Sequence, residues 1–90
     1  MSNQEARGTP PVIVYTKPDC AQCTMTRRLL DHHGIEYTTV DILNPDHLAH
    51  VRGLGFSSAP VVEYGNTSWA GFRPDLIQKL VESINERENQ

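Results

Sequence analysis

Two cysteines, Cys20 and Cys23, are the only thiols of the 90-residue chain, and two residues separate them. They sit in Tyr15-Thr16-Lys17-Pro18-Asp19-Cys20-Ala21-Gln22-Cys23-Thr24, between an apolar run and a helical pattern. A Cys-x-x-Cys between a strand and a helix puts the first cysteine at the helix mouth, where unpaired backbone N–H groups favour a thiolate, and the second a turn further in. That placement suits thiol–disulfide exchange: Cys20 attacks one sulfur of a substrate disulfide and Cys23 resolves the mixed disulfide. Lys17 favours the thiolate, whereas Asp19 opposes it wherever its carboxylate approaches. Both also read as solvated loop charges. Zinc is the rival use of such a pair, but His47 and His50 lie at a spacing that does not match a Cys₂His₂ finger.

Composition narrows the setting. Ninety residues with 38% hydrophobic content suffice for one domain, and a net charge of −3 offers no basic face for nucleic acid. The longest apolar run, Val12-Ile13-Val14-Tyr15, falls far short of the ~20 residues that cross a bilayer. Residues 1–11 are polar, with adjacent prolines and no signal-like apolar centre, and read as a disordered leader. Two cysteines are too few for a stapled secreted framework, so a cytoplasmic redox protein is expected.

The elements that must position the pair follow in order. Val12-Ile13-Val14-Tyr15 shows no alternation and suits a central strand buried on both faces, parallel to a partner. Ala21, Met25 and Leu29, with Leu30, predict the apolar stripe of a helix that Gly34 ends. Glu36-Tyr37-Thr38-Thr39-Val40-Asp41-Ile42 reads as a second, partly exposed strand. Asn44-Pro45 opens a short helix with Leu48, Val51 and Leu54 on its apolar side. Gly65-Asn66 joins Val61-Val62-Glu63-Tyr64 to Thr67-Ser68-Trp69-Ala70 as a tight antiparallel hairpin. Pro74 starts a closing helix carrying Leu76, Ile77, Leu80, Val81 and Ile84. The sum is an α/β protein of order β-α-β-α-β-β-α, a four-stranded mixed sheet flanked by three helices. Its single domain spans residues 12–85, and a frayed tail takes residues 86–90.

This order, Cys20-Ala21-Gln22-Cys23 after a strand, and Ala59-Pro60 before the third strand resemble the thioredoxin-fold superfamily on its glutaredoxin-sized branch. Within it the chain is similar to the NrdH-type redoxins, electron donors to class Ib ribonucleotide reductase. The Cys-x-Gln-Cys form carries this likeness together with Trp69-Ala70-Gly71-Phe72-Arg73-Pro74-Asp75, which resembles the family's Trp-Ser/Ala-Gly-Phe-Arg-Pro-Asp block. The resemblance runs over about residues 12–81.

The resemblance implies a cis bond before Pro60, exposing the Ala59 backbone so that an extended substrate segment pairs with it as an added strand. It also implies that Gly71-Phe72-Arg73-Pro74 replaces the turn with which glutaredoxins hold the glutathione carboxylate, so that glutathione binds poorly. The candidate partner-contact set is therefore Lys17, Ala59, Pro60, Trp69, Gly71, Phe72 and Arg73. Trp69 and Phe72 also read as hairpin or core packing, and Arg73 as a surface partner of Asp75. On the same basis thioredoxin reductase reduces the protein, which passes electrons to the ribonucleotide reductase large subunit. NADPH and FAD act only in the reductase, no cofactor or metal is bound, and the chain is expected to be a monomer. A glutathione-dependent glutaredoxin, a dimer sharing an iron–sulfur cluster, and a general thioredoxin-like disulfide reductase remain alternative functions.

Overall fold

Val12-Ile13-Val14-Tyr15 lacks alternation because its strand has a core on each side. The computed structural model describes residues 10–88. In it β1 (Val12–Thr16) lies inside a four-stranded sheet ordered β2-β1-β3-β4, with β2 (Thr38–Asp41), β3 (Val61–Tyr64) and β4 (Thr67–Ala70). β1 runs parallel to β2, with Ile13 opposite Thr38, and antiparallel to β3, with Val14 opposite Val62. The β3–β4 hairpin pairs Tyr64 with Thr67 across Gly65-Asn66. Gly65 has φ 59° while Asn66 does not turn positive, as in a type II′ turn that follows the twist of its strands.

Side chains alternate between two clusters. Val12, Val14, Val62, Tyr64 and Trp69 face one core, completed by Leu30, Ile35, Ile77, Leu80, Val81 and Ile84. Those residues come from or follow α1 (Ala21–His32) and α3 (Pro74–Glu88), which cover that face. Tyr15, Ile42 and Val61 turn to the other face and pack with Val51 of α2 (Pro45–Gly53). This is the thioredoxin-fold arrangement expected from the order of elements.

Local signals explain the ends of the helices. The Asn44 side chain accepts the Asp46 N–H at 2.9 Å, and Pro45 takes the first helical position, where its missing N–H costs nothing. Gly34 closes α1 at φ 70°: its N–H donates to Asp31 O and that of Ile35 to Leu30 O, both at 3.0 Å, the paired bonds of a Schellman end.

Three expectations are corrected. The buried stripe of α1 is Cys23, Thr26 and Leu30, and Met25 is left 46% exposed. The helix is rotated so that Cys23 and Thr26 are buried, and the apolar Ala21 and Met25 face outward. On α2 only Val51 is fully buried, because the helix ends at Gly53 and leaves Leu54 as a partly exposed cap. The closing helix runs to Glu88, three residues beyond the predicted boundary, since Glu86 and Arg87 are good helix formers that extend an established helix. Of the predicted leader, residues 1–9 lie outside the described residues, as do residues 89–90 of the tail.

Candidate active site

Cys20 is the N-cap of α1, with extended backbone angles (φ −119°, ψ 104°). Its Sγ accepts the Cys23 N–H at 3.1 Å, and its carbonyl accepts the Thr24 N–H at 3.1 Å and the Thr24 hydroxyl at 3.3 Å. The reactive sulfur thus occupies the place a Ser or Asp oxygen takes at other helix starts, where a negative charge is stabilised by the N–H groups and the helix dipole. Cys20 and Cys23 are joined as a disulfide, with Cα atoms 5.2 Å apart. Cys20 is half-buried while Cys23 is only 1% exposed, so an incoming thiolate reaches the first sulfur and not the second. Asp19 turns the chain into this cap at φ 55°, a left-handed conformation that Asp tolerates better than most residues. Its importance here is in the backbone; its side chain is exposed.

Pro60 is fully buried, and the Ala59-Pro60 bond is cis. The Pro60 carbonyl accepts the Gly71 N–H at 2.8 Å, extending the β3–β4 ladder by one bond past Ala70. Gly71 then adopts φ 87°, which a side chain would strain, and the next N–H, that of Phe72, donates to Gln22 Oε1 at 3.2 Å. Gln22 of the redox motif is thereby tied to Phe72, and Phe72 follows directly on Gly71, which is bonded to Pro60. Gln22 is the functional residue that sequence reasoning missed. Its presence in the Cys-x-Gln-Cys form was the signal, but its partner lies fifty residues away.

The remaining candidates separate. Lys17 is exposed and lines, with Cys20, Arg27, Thr39 and Asp41, an open depression of about 670 Å³ on the β2 side of the reactive sulfur. Ala59 is half-buried and packs partly against the α2-side core. Phe72 is half-buried against the other core. Trp69 is only 5% exposed and packs in the same core, opposite Val62 in the hairpin. Arg73 makes a forked surface pair with Asp75, Nε to Oδ1 at 3.2 Å and Nη2 to Oδ2 at 3.0 Å. That guanidinium holds the exposed Asp75 carboxyl below its usual range.

Comparison with known proteins places this geometry. The Glutaredoxin family pattern matches residues 12–69. The Glutaredoxin-like protein NrdH of Salmonella typhimurium is 41% identical over 70 residues, covering 77% of this chain and 86% of that protein. The chain belongs to the NrdH-type glutaredoxin-like proteins. The NrdH of Lactococcus lactis subsp. cremoris is 36% identical and is covered over 97% of its length. The solved NrdH-redoxin of Escherichia coli, a glutaredoxin-like protein described by its thioredoxin-like activity profile, superposes with a TM-score of 0.73 at 37% identity. That match covers 78% of this chain and 93% of the other. As an NrdH-type protein the chain is a thiol–disulfide oxidoreductase, and its Cys20–Cys23 pair is joined as a disulfide.

Two histidines of this NrdH-type protein, His47 and His50, lie on α2, which covers the other face of the sheet. His50 Nε2 lies 3.0 Å from Glu63 Oε1, and its ring stacks on Tyr15 at 5.9 Å. His47 Nδ1 contacts Asp41 O at 2.9 Å. Among the described residues no group of three or more His, Cys, Asp or Glu side chains is placed to hold a metal ion. The Tyr15 hydroxyl donates to Glu63 Oε1 at 2.8 Å, and burial together with this carboxylate pushes its pKa up to about 12 from 10.0. The fold therefore favours the neutral phenol. Its contribution is complete below pH 10.0 and is lost as pH rises towards about 12. Unfolding free energies measured at pH 9 and pH 12 are expected to fall less in Tyr15→Phe than in the parent, the difference, after solvent screening of the phenol–carboxylate contact, being roughly 1 to 2 kcal/mol.

Proposed function

We propose that this protein is a cytoplasmic dithiol electron carrier, reduced by thioredoxin reductase and reducing the large subunit of class Ib ribonucleotide reductase for deoxyribonucleotide synthesis. It works without a cofactor of its own: NADPH and FAD belong to the reductase, and the electrons reside in the Cys20–Cys23 pair. The bond from the Phe72 N–H to Gln22 Oε1 carries this reading. In the glutaredoxins the equivalent turn receives the glutathione carboxylate; here its backbone N–H is already committed to the redox motif. The likeness to an Escherichia coli protein with a thioredoxin-like activity profile supports the same choice. Among the described residues no helix is long and apolar enough to cross a membrane.

The test follows NADPH consumption with either thioredoxin reductase, or glutathione and glutathione reductase, feeding the protein, and class Ib ribonucleotide reductase as the acceptor. Turnover is expected with thioredoxin reductase and to be poor with glutathione. Efficient turnover with glutathione alone would return the protein to the glutathione-dependent glutaredoxins.

A further inference from the structure

Thr26 is completely buried, and its hydroxyl has no hydrogen-bond partner among the described residues. A threonine inside a helix usually turns its hydroxyl back to the carbonyl four residues earlier, and this one does not. It lies three residues after Cys23, and side chains at that spacing are neighbours on one helix face. Helical side chains also lean toward the N-terminus, so Thr26 extends over the turn that carries Cys23, itself 1% exposed. We propose that the Thr26 hydroxyl is the hydrogen-bond donor for the Cys23 thiolate, idle in the disulfide and engaged once the disulfide opens.

The chemistry gives that donor work in one redox state only. A thiolate of a partner dithiol attacks Cys20 Sγ. The Cys20–Cys23 bond breaks, and its electron pair leaves on Cys23 as a thiolate. The partner's second thiol, having lost its proton to solvent, attacks the partner sulfur of the mixed disulfide and releases Cys20 as a thiolate. The partner is oxidised to a disulfide, and two electrons have passed to the cysteine pair, whose sulfurs take up protons from solvent according to pH. A disulfide sulfur is a weak acceptor, whereas a buried thiolate is a strong, charge-assisted one. The hydroxyl therefore stabilises the leaving sulfur, and with it the reduced protein, against an oxidised form in which it is unpaired and costly.

This inference rests on the dithiol chemistry and not on which proteins are the partners. The test equilibrates purified Thr26→Val, Thr26→Ala, Thr26→Ser and parent proteins with a dithiothreitol redox couple, and follows thermal unfolding of both redox forms. The two variants without a hydroxyl are expected to favour the disulfide by about tenfold, a potential about 30 mV more negative. Thr26→Ser keeps the donor and is expected to match the parent. Oxidised Thr26→Val is expected to unfold no earlier than the oxidised parent, and reduced Thr26→Val earlier than the reduced parent. Equilibria of Thr26→Val and Thr26→Ala within twofold of the parent would overturn the proposal, as would an equal shift in Thr26→Ser. Neither result bears on the reductase assay, in which the parent protein alone is measured.

Discussion

Replacing Cys23 by Ser is expected to convert the protein from a turnover reagent into a trap, while replacing Cys20 by Ser silences it. The asymmetry follows from burial and capping. Cys20 is accessible, and its sulfur receives the Cys23 N–H at 3.1 Å, so a Cys23→Ser protein keeps both the nucleophile and the helix start that activates it. It attacks a substrate disulfide, forms the mixed disulfide, and stops, because the group that would release the substrate is gone. In Cys20→Ser the remaining thiol is 1% exposed and meets no visiting disulfide. Dithiol-dependent reduction of a disulfide substrate is expected to fall by about 10³-fold or more in each variant, since an alcohol is no substitute for a thiolate nucleophile. Mass spectrometry separates them: a stoichiometric adduct with Cys23→Ser and none with Cys20→Ser. Equal adduct formation by both would mean that the roles are reversed or shared.

The largest effect on stability is expected from Leu30→Ala. Leu30 is completely buried, sits in the core shared by α1, α3 and the sheet, and its carbonyl closes the C-terminal end of α1 through the Ile35 N–H at 3.0 Å. Truncation removes apolar contact and leaves a cavity between two helices held apart by other side chains, at a cost of about 3 kcal/mol. A domain of this size has few such increments to lose, and the melting temperature is expected to drop by roughly 10 to 20 °C. Met25→Ala on the same helix, at a position 46% exposed, serves as the comparison and is expected to change little. A similar drop in both variants would show that the helix face has been misread.

That pair of substitutions also marks where the sequence was opaque. Capping and turn chemistry is local, and it was legible: Asn44-Pro45, Gly34, Gly65-Asn66 and Pro74 each announced an end or a turn through the residue's own backbone preferences. The double-sided burial of β1 was legible too, because a run of β-branched and aromatic residues without alternation has few other uses. The rotation of α1 was not. Hydropathy counts Met25 as core and Thr26 as surface, but the face the helix buries carries Cys23, Thr26 and Leu30. The bond from Phe72 to Gln22 joins residues fifty apart, and no local preference encodes it. The two motifs that carried the family resemblance are thus in contact in space, and their shared presence in one sequence gave no hint of the physical tie. Trp69 was ambiguous for a different reason: a large aromatic suits a binding surface and a core equally until its strand partner is known, and Val62 opposite it decides for the core.

Because the sulfur of Cys20 is itself the cap of α1, the protein's redox history is written into the integrity of its first helical turn. An agent that alkylates this sulfur for good leaves a thioether, which still accepts weakly but can never carry the negative charge that the helix start favours. Inactivation then takes with it the strongest form of the cap, the charged one, and leaves the first turn held by the weaker neutral contact.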